Sequence, residues 1–133
     1  MTDLCHLPAG ELVRRMAAGS VSCREVIEAH LDRIEAINPQ LNALVVATDP
    51  ELCRQVARGE AGGRLHGVPV VVKDVIKVAG LACSGGVEPL RAVASDDATV
   101  VSRLRAEGAI VLGLTNVPEM GRGGESNNNL YGR

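Results

Sequence analysis

Aromatic side chains are almost missing: the 133 residues include one Tyr and neither Phe nor Trp. A core here has to be assembled from Val, Leu, Ile, Ala and Met, without the large buried areas that aromatic rings supply. A self-sufficient domain usually carries a few such rings, so the expectation is a chain that forms part of something larger. Excess charge is missing as well. Fourteen Lys and Arg stand against 16 Asp and Glu, for a net charge of -2. No basic surplus is available to neutralise phosphates, which removes compositional support for nucleic-acid binding. No stretch approaches the roughly 18 consecutive apolar residues of a membrane span. The opening MTDLCHLPAGEL has neither the basic start nor the apolar core of a secretion signal. A cytoplasmic protein is expected, with no membrane span; the oligomeric state is left open. What is present is 46% hydrophobic and 23% charged, which excludes a disordered chain.

Metal-ligand spacing is absent too. Cys5, Cys23, Cys53 and Cys83 form no C-x-x-C pair, and His6, His30 and His66 lie far apart in sequence. Four reduced thiols and no metal site are expected.

Hydrophobic periodicity then sets out the elements. Residues 8–18 read as a helix with Pro8 in its first turn, Leu12, Val13 and Met16 on one face, and Gly19 just past its end. Residues 23–37 read as a second helix. Ser22 and Glu25 make a capping box, Ile27, Leu31, Ile34 and Ile37 make a stripe, and Asn38-Pro39 is the expected stop. His30 lies on or beside that stripe and reads as a packed histidine. Residues 41–47 suit a strand, 50–58 a short helix and 59–64 a turn. The run Val68–Val72 is β-branched and apolar throughout, as in a strand covered on both faces. Residues 79–96 read as irregular. A helix is expected over 97–107, with Ser95, Asp96 and Asp97 at its start, and a strand over 109–115. Strand, helix, strand in that order predicts a βαβ crossover and a parallel strand pair. The tail 121–133 reads as loop. One domain is expected, with no second one.

Lys73 stands out chemically. It ends the apolar strand, where doubly wound sheets bind ligands, and a lysine partly desolvated there becomes a usable base. The plainer alternative is a lysine paired with Asp74 or another carboxylate. Nucleotide fingerprints are absent, and the tract Gly121-Arg122-Gly123-Gly124 opens onto an Asn-rich loop rather than a helix. Ser84 and Ser126 lack the surroundings of a nucleophile.

The segment Leu65-His66-Gly67-Val68-Pro69-Val70-Val71-Val72-Lys73-Asp74 resembles the amidase signature hydrolases. Ser95–Val101 with Leu104–Ala109 is similar to a second block of that family. Thr115-Asn116-Val117-Pro118-Glu119 with Asn129-Leu130-Tyr131-Gly132 is similar to a third. The opening helices resemble the family too, so the likeness covers essentially the whole chain. The resemblance implies an α/β fold. In it the chain is the N-terminal part of an α/β/α layered domain, with N-terminal helices and then βαβ units of a mixed sheet. It implies hydrolysis of carboxylic amide C–N bonds by a Ser–cis-Ser–Lys triad, with Lys73 at the lysine position, a small-molecule amide as substrate, and no cofactor. Both triad serines and the oxyanion-binding backbone belong to a Gly/Ser-rich block that follows the Tyr-Gly block in the family. That makes 1–133 a partial amidase domain, inactive by itself. The alternative is a catalytically inactive truncated fragment or remnant with at most a binding role. Leu114 stands where many relatives have lysine, and Met120 near where many have an aromatic. Gly121, Arg122 and Gly123 match a place where some relatives line an acyl-binding channel. The wording GGESNNNLYGR resembles the general hydrolase and fatty-acid-amide branches more than the glutamyl-tRNA amidotransferase branch.

Overall fold

The computed structural model describes residues 4–59 and 62–133. Two of the residues in the turn expected over 59–64, Glu60 and Ala61, lie outside the described residues. A short 3-10 turn, Leu4–His6, precedes helix α1 (Ala9–Ala17). Gly19 follows that helix with φ 68°, as its position predicts. Helix α2 (Cys23–Leu41) starts at the expected capping box. The Ser22 hydroxyl accepts from the Glu25 N–H, and the Glu25 carboxylate accepts from the Ser22 N–H.

Strand β1 (Leu44–Ala47) and helix α3 (Pro50–Arg58) come next. Asp49 caps α3 through the Glu51 N–H, with Pro50 in the first helical position. Strand β2 (Pro69–Lys73) leads through a loop to a two-stranded ribbon, β3 (Ala82–Cys83) with β4 (Ala92–Val93). Helix α4 (Thr99–Ala106) and strand β5 (Ile110–Thr115) complete the regular elements.

The main sheet is mixed, in the order β1-β5-β2. β2 and β5 are parallel with Lys73 opposite Thr115, and β1 runs antiparallel to β5. The expected βαβ crossover is therefore β2–α4–β5. Alternation along β5, interrupted by a register shift between Val111 and Gly113, feeds two cores. Ile110 and Leu112 face Cys23, Ile27, Cys53 and Ala57 of α2 and α3. Val111 and Leu114 join Val72, Val78 and Val101 on the α4 side. The result is helix, sheet, helix layering around an aliphatic core. A third apolar cluster, Leu12, Val21 and Val26, packs α1 onto α2. Burying one such aliphatic side chain contributes about 1.5–3 kcal/mol, so many of them together replace the missing rings. Gly113 lets β1 approach β5, because a side chain there would run into the Val46 carbonyl. No helix among the described residues is long and apolar enough to cross a membrane.

Four expectations are corrected. Asn38-Pro39 does not stop α2, which continues to Leu41. Pro39 is exposed in the last turn, where water can reach the carbonyl it leaves unpaired, and the true exit is Asn42 in the left-handed region with φ 50°. The Val68–Val72 run is not covered on both faces. β2 is an edge strand with Val71 52% exposed, and the buried central strand is β5. Residues 79–96 are not irregular throughout, since they hold the β3–β4 ribbon. The cap residue of α4 is Ala98, with no side-chain cap. Asp97 instead accepts from the Ala79 N–H and pairs with Arg105 at 3.2 Å.

Candidate functional site

Lys73 ends β2, and the next residue, Asp74, turns inward. The two neighbours have opposite fates, as side-chain alternation at a strand end dictates. Asp74 is 0% exposed, and Lys73 is exposed. Among the described residues, Lys73 has no carboxylate within ion-pair distance. The plain reading of a lysine paired with Asp74 does not hold. Solvent reaches the Lys73 side chain, so residues 1–133 do not by themselves supply the expected desolvation.

Asp74 spends its carboxylate on the loop that follows. It accepts from the Ser84 hydroxyl at 2.5 Å, the Ser84 N–H at 3.0 Å and the Gly86 N–H at 3.3 Å. Ser84 is itself 3% exposed. It is thus a buried anchor, consistent with its lack of nucleophile surroundings. Ser126 is exposed in the tail.

A turn from the end of β5 folds over the same place. Pro118 leads into a 3-10 turn, Glu119–Gly121, and the Met120 N–H donates to the Gly85 carbonyl at 2.7 Å. Met120 adopts φ 54°, a conformation that costs a non-glycine residue energy and tends to mark functional sites. Gly121, at φ 70°, lies against the lysine: a β-carbon built on it would stand 3.5 Å from Lys73 Nζ. Lys73 and Gly121 are therefore brought together. Arg122 and Gly123 follow on the exposed turn.

Beside this arrangement opens a cavity of about 390 Å³ whose walls include Val75, Lys77, Cys83, Leu90, Val93 and Met120. Its lining is mainly apolar, with one cation, Lys77, and one carboxylate, Asp74. None of Lys73, Gly121, Arg122 and Gly123 is among the lining residues. Burial pushes the Cys83 thiol above its ordinary range, and the adjacent Asp74 charge adds to that. No three His, Cys, Asp or Glu side chains gather as metal ligands among the described residues. His30 is half-buried and its Nδ1 lies 2.7 Å from the Val26 carbonyl oxygen, as expected for a packed histidine.

The tail is more organised than its composition suggests. Asn128 is 6% exposed. Its amide donates to Asn116 Oδ1 and the Val117 carbonyl, and its oxygen accepts from the Leu130 and Tyr131 N–H groups. Asn116 in turn donates to the Gly132 carbonyl at 3.1 Å. These bonds tie the Tyr131-Gly132 turn to the end of β5. Asp74, Ser84, Asn116 and Asn128 were not singled out from the sequence as structural anchors. The usable signal was the Asn-rich wording itself, since Asn side chains readily close turns on their own backbone.

The model of one protein family, Amidase, matches residues 25–133. An acylamidase of Rhodococcus erythropolis is 42% identical over 98% of this chain and 29% of its own length. A glutamyl-tRNA(Gln) amidotransferase polypeptide of Salinispora arenicola is 41% identical over 99% of the chain and 28% of its own length. These two identities do not separate the hydrolase branch from the amidotransferase branch. The solved structure of a 6-aminohexanoate cyclic dimer hydrolase superimposes with a TM-score of 0.87 at 30% identity, over 99% of this chain and 28% of that one. The chain thus spans less than a third of the length of these relatives. With the family match, the relatives and the shared fold in agreement, the chain belongs to the amidase family.

Proposed function

We propose that residues 1–133 supply the proton-accepting lysine, Lys73, of a hydrolase that cleaves carboxylic amide C–N bonds in small molecules. The observation that carries this is the position of Lys73. It ends a parallel strand, is paired with no carboxylate among the described residues, and has its Nζ next to Gly121, which follows the cavity-lining Met120. The C-terminal ends of parallel strands are where α/β sheets bind ligands.

The chemistry is a Ser–cis-Ser–Lys relay. Neutral Lys73 takes a proton from a bridging serine, which takes one from the attacking serine. The attacking oxygen forms a bond to the amide carbon, and the C–N bond breaks as the amine leaves with a returned proton. Water then cleaves the acyl-enzyme by the same relay. Gly121, Arg122 and Gly123 are assigned to the acyl side of the site, with Gly121 supported by its place beside Lys73 Nζ. The unit is one partial amidase domain.

A specific observation favours inactivity of residues 1–133 alone: the serine nearest in the loop, Ser84, is buried on Asp74, and no serine hydroxyl bonds to Lys73 among the described residues. A simple aryl amide incubated with the purified 133-residue chain is expected to hydrolyse at the background rate. Serine-directed covalent probes are expected to leave the chain unlabelled. Turnover by the chain alone would overturn the partial-domain reading.

A further inference from the structure

Asp74 is fully buried, yet the relay gives it no role. Its bonds nonetheless form a closed path back to Lys73. The Asp74 N–H donates to the Thr115 carbonyl at 3.2 Å, which fixes the strand end carrying Lys73 to β5. The Asp74 carbonyl accepts from the Gly85 N–H at 3.0 Å and from Cys83 Sγ at 2.9 Å. Its carboxylate holds the Ser84 hydroxyl and the Ser84 and Gly86 N–H groups. The loop held in this way presents the Gly85 carbonyl to the Met120 N–H, and Met120 leads into Gly121, against which Lys73 Nζ lies. The main chain of Asp74 thus ties the strand end to β5, and its carboxylate separately holds Ser84 and Gly86 in the loop that seats the 119–121 turn beside the lysine.

We propose that Asp74 is a positioning residue for Lys73: through Ser84 and Gly86 it sets the loop that seats the 119–121 turn, and so fixes where the ammonium sits. The proposal rests on the reading of Lys73 as the proton acceptor for its functional meaning. Its test reads the position of the lysine directly and needs no turnover, so the two can fail separately. Charge-assisted bonds to a buried carboxylate are the strong kind. An amide in its place offers a donor where a donor already points.

Lys73 and Lys77 are the only lysines in the chain, and both are exposed. Lys77 is therefore an internal reference. The 133-residue chain is acetylated with an N-hydroxysuccinimide ester at one fixed pH, and modification at each lysine is quantified by peptide mass spectrometry. In the parent chain the Lys73-to-Lys77 ratio is expected to lie below one by about threefold or more, because the 119–121 turn covers Lys73 Nζ on one side. In Asp74→Asn the ratio is expected to collapse toward one, while the helical circular dichroism signal stays. Ser84→Ala, which keeps the carboxylate and deletes one donor, is expected to move the ratio the same way, and Ser84→Thr to restore it. A parent ratio of one overturns the proposal. So does an unchanged ratio in Ser84→Ala, whatever the stability of Asp74→Asn.

Discussion

Lys73 and Asp74 are adjacent in sequence and face opposite environments, and the difference decides what each can do. Among the described residues the Lys73 side chain is held by no carboxylate, which leaves it free to meet a relay partner. A carboxylate bonded to Ser84 and Gly86 is not free in that way. The position of Lys73 could be read from the strand pattern and from the resemblance. The burial of Asp74 could not, because its donors lie ten and twelve residues further on and only the folded loop brings them back. The same neighbourhood makes a prediction for Cys83. Its thiol is raised by burial first and by the Asp74 charge second. Since the thiolate is the reactive form, iodoacetamide should alkylate Cys83 more slowly at neutral pH than a free cysteine. The rate should climb only as the pH rises beyond the ordinary thiol range. Asp74→Asn should accelerate it. Alkylation of Cys83 at the rate of a free thiol would contradict this environment.

At the scale of the elements, the start of a helix was easier to read than its end. The bounds of α3 follow from Asp49, Pro50 and Gly59, all local signals. The start of α2 follows from Ser22 and Glu25 in the same way. Its end does not, because one exposed proline in a last turn costs less than an interior one, and the Asn38 side chain bonds the Leu44 backbone beyond it. β2 shows a related limit: Val-Val-Val announces a strand but does not say whether a neighbour covers it. The cap of α2 is testable. Ser22→Ala should destabilise the chain by about 1 kcal/mol, measured by urea unfolding. Bonding to Ser22 holds the Glu25 carboxyl below its ordinary range, and bonding to Arg54 does the same for Glu28. A carboxylate lowered in the folded state adds stability above its unfolded value and loses it as pH falls through the folded value. The midpoint in urea should therefore drop on acidification through and below the ordinary carboxylate range, and by less in Glu25→Ala. An identical pH dependence in the two chains would remove Glu25 from that account.

For the molecule as a whole, the sheet has β1 and β2 at its two edges, with an aliphatic central strand between them. Val71 stands 52% exposed on β2, with Leu41 60% exposed nearby on the α2 side. Bare apolar strand edges pair with other chains. Sedimentation of the isolated chain should show association that grows with concentration, and Val71→Lys should reduce it without loss of helix signal. A monomer at every concentration, with a sharp cooperative melt, would contradict this. The layered α/β class was legible from the order of strands and helices, and the family from three ordered blocks of residues. The edge position of β2 was legible only in three dimensions, and the Asn-rich wording of the tail signalled turns without naming the partners of Asn128. The central claim, that Lys73 is the proton acceptor of an amide hydrolase, is tested most directly in a chimera in which residues 1–133 replace the matching segment of the Rhodococcus erythropolis acylamidase. Hydrolysis of an aryl amide is measured for the chimera and for its Lys73→Arg variant. Guanidinium does not give up its proton, so the variant should lose about 10²–10⁴-fold in kcat with its fold intact. A Lys73→Arg chimera that turns over as fast as its parent would contradict the account.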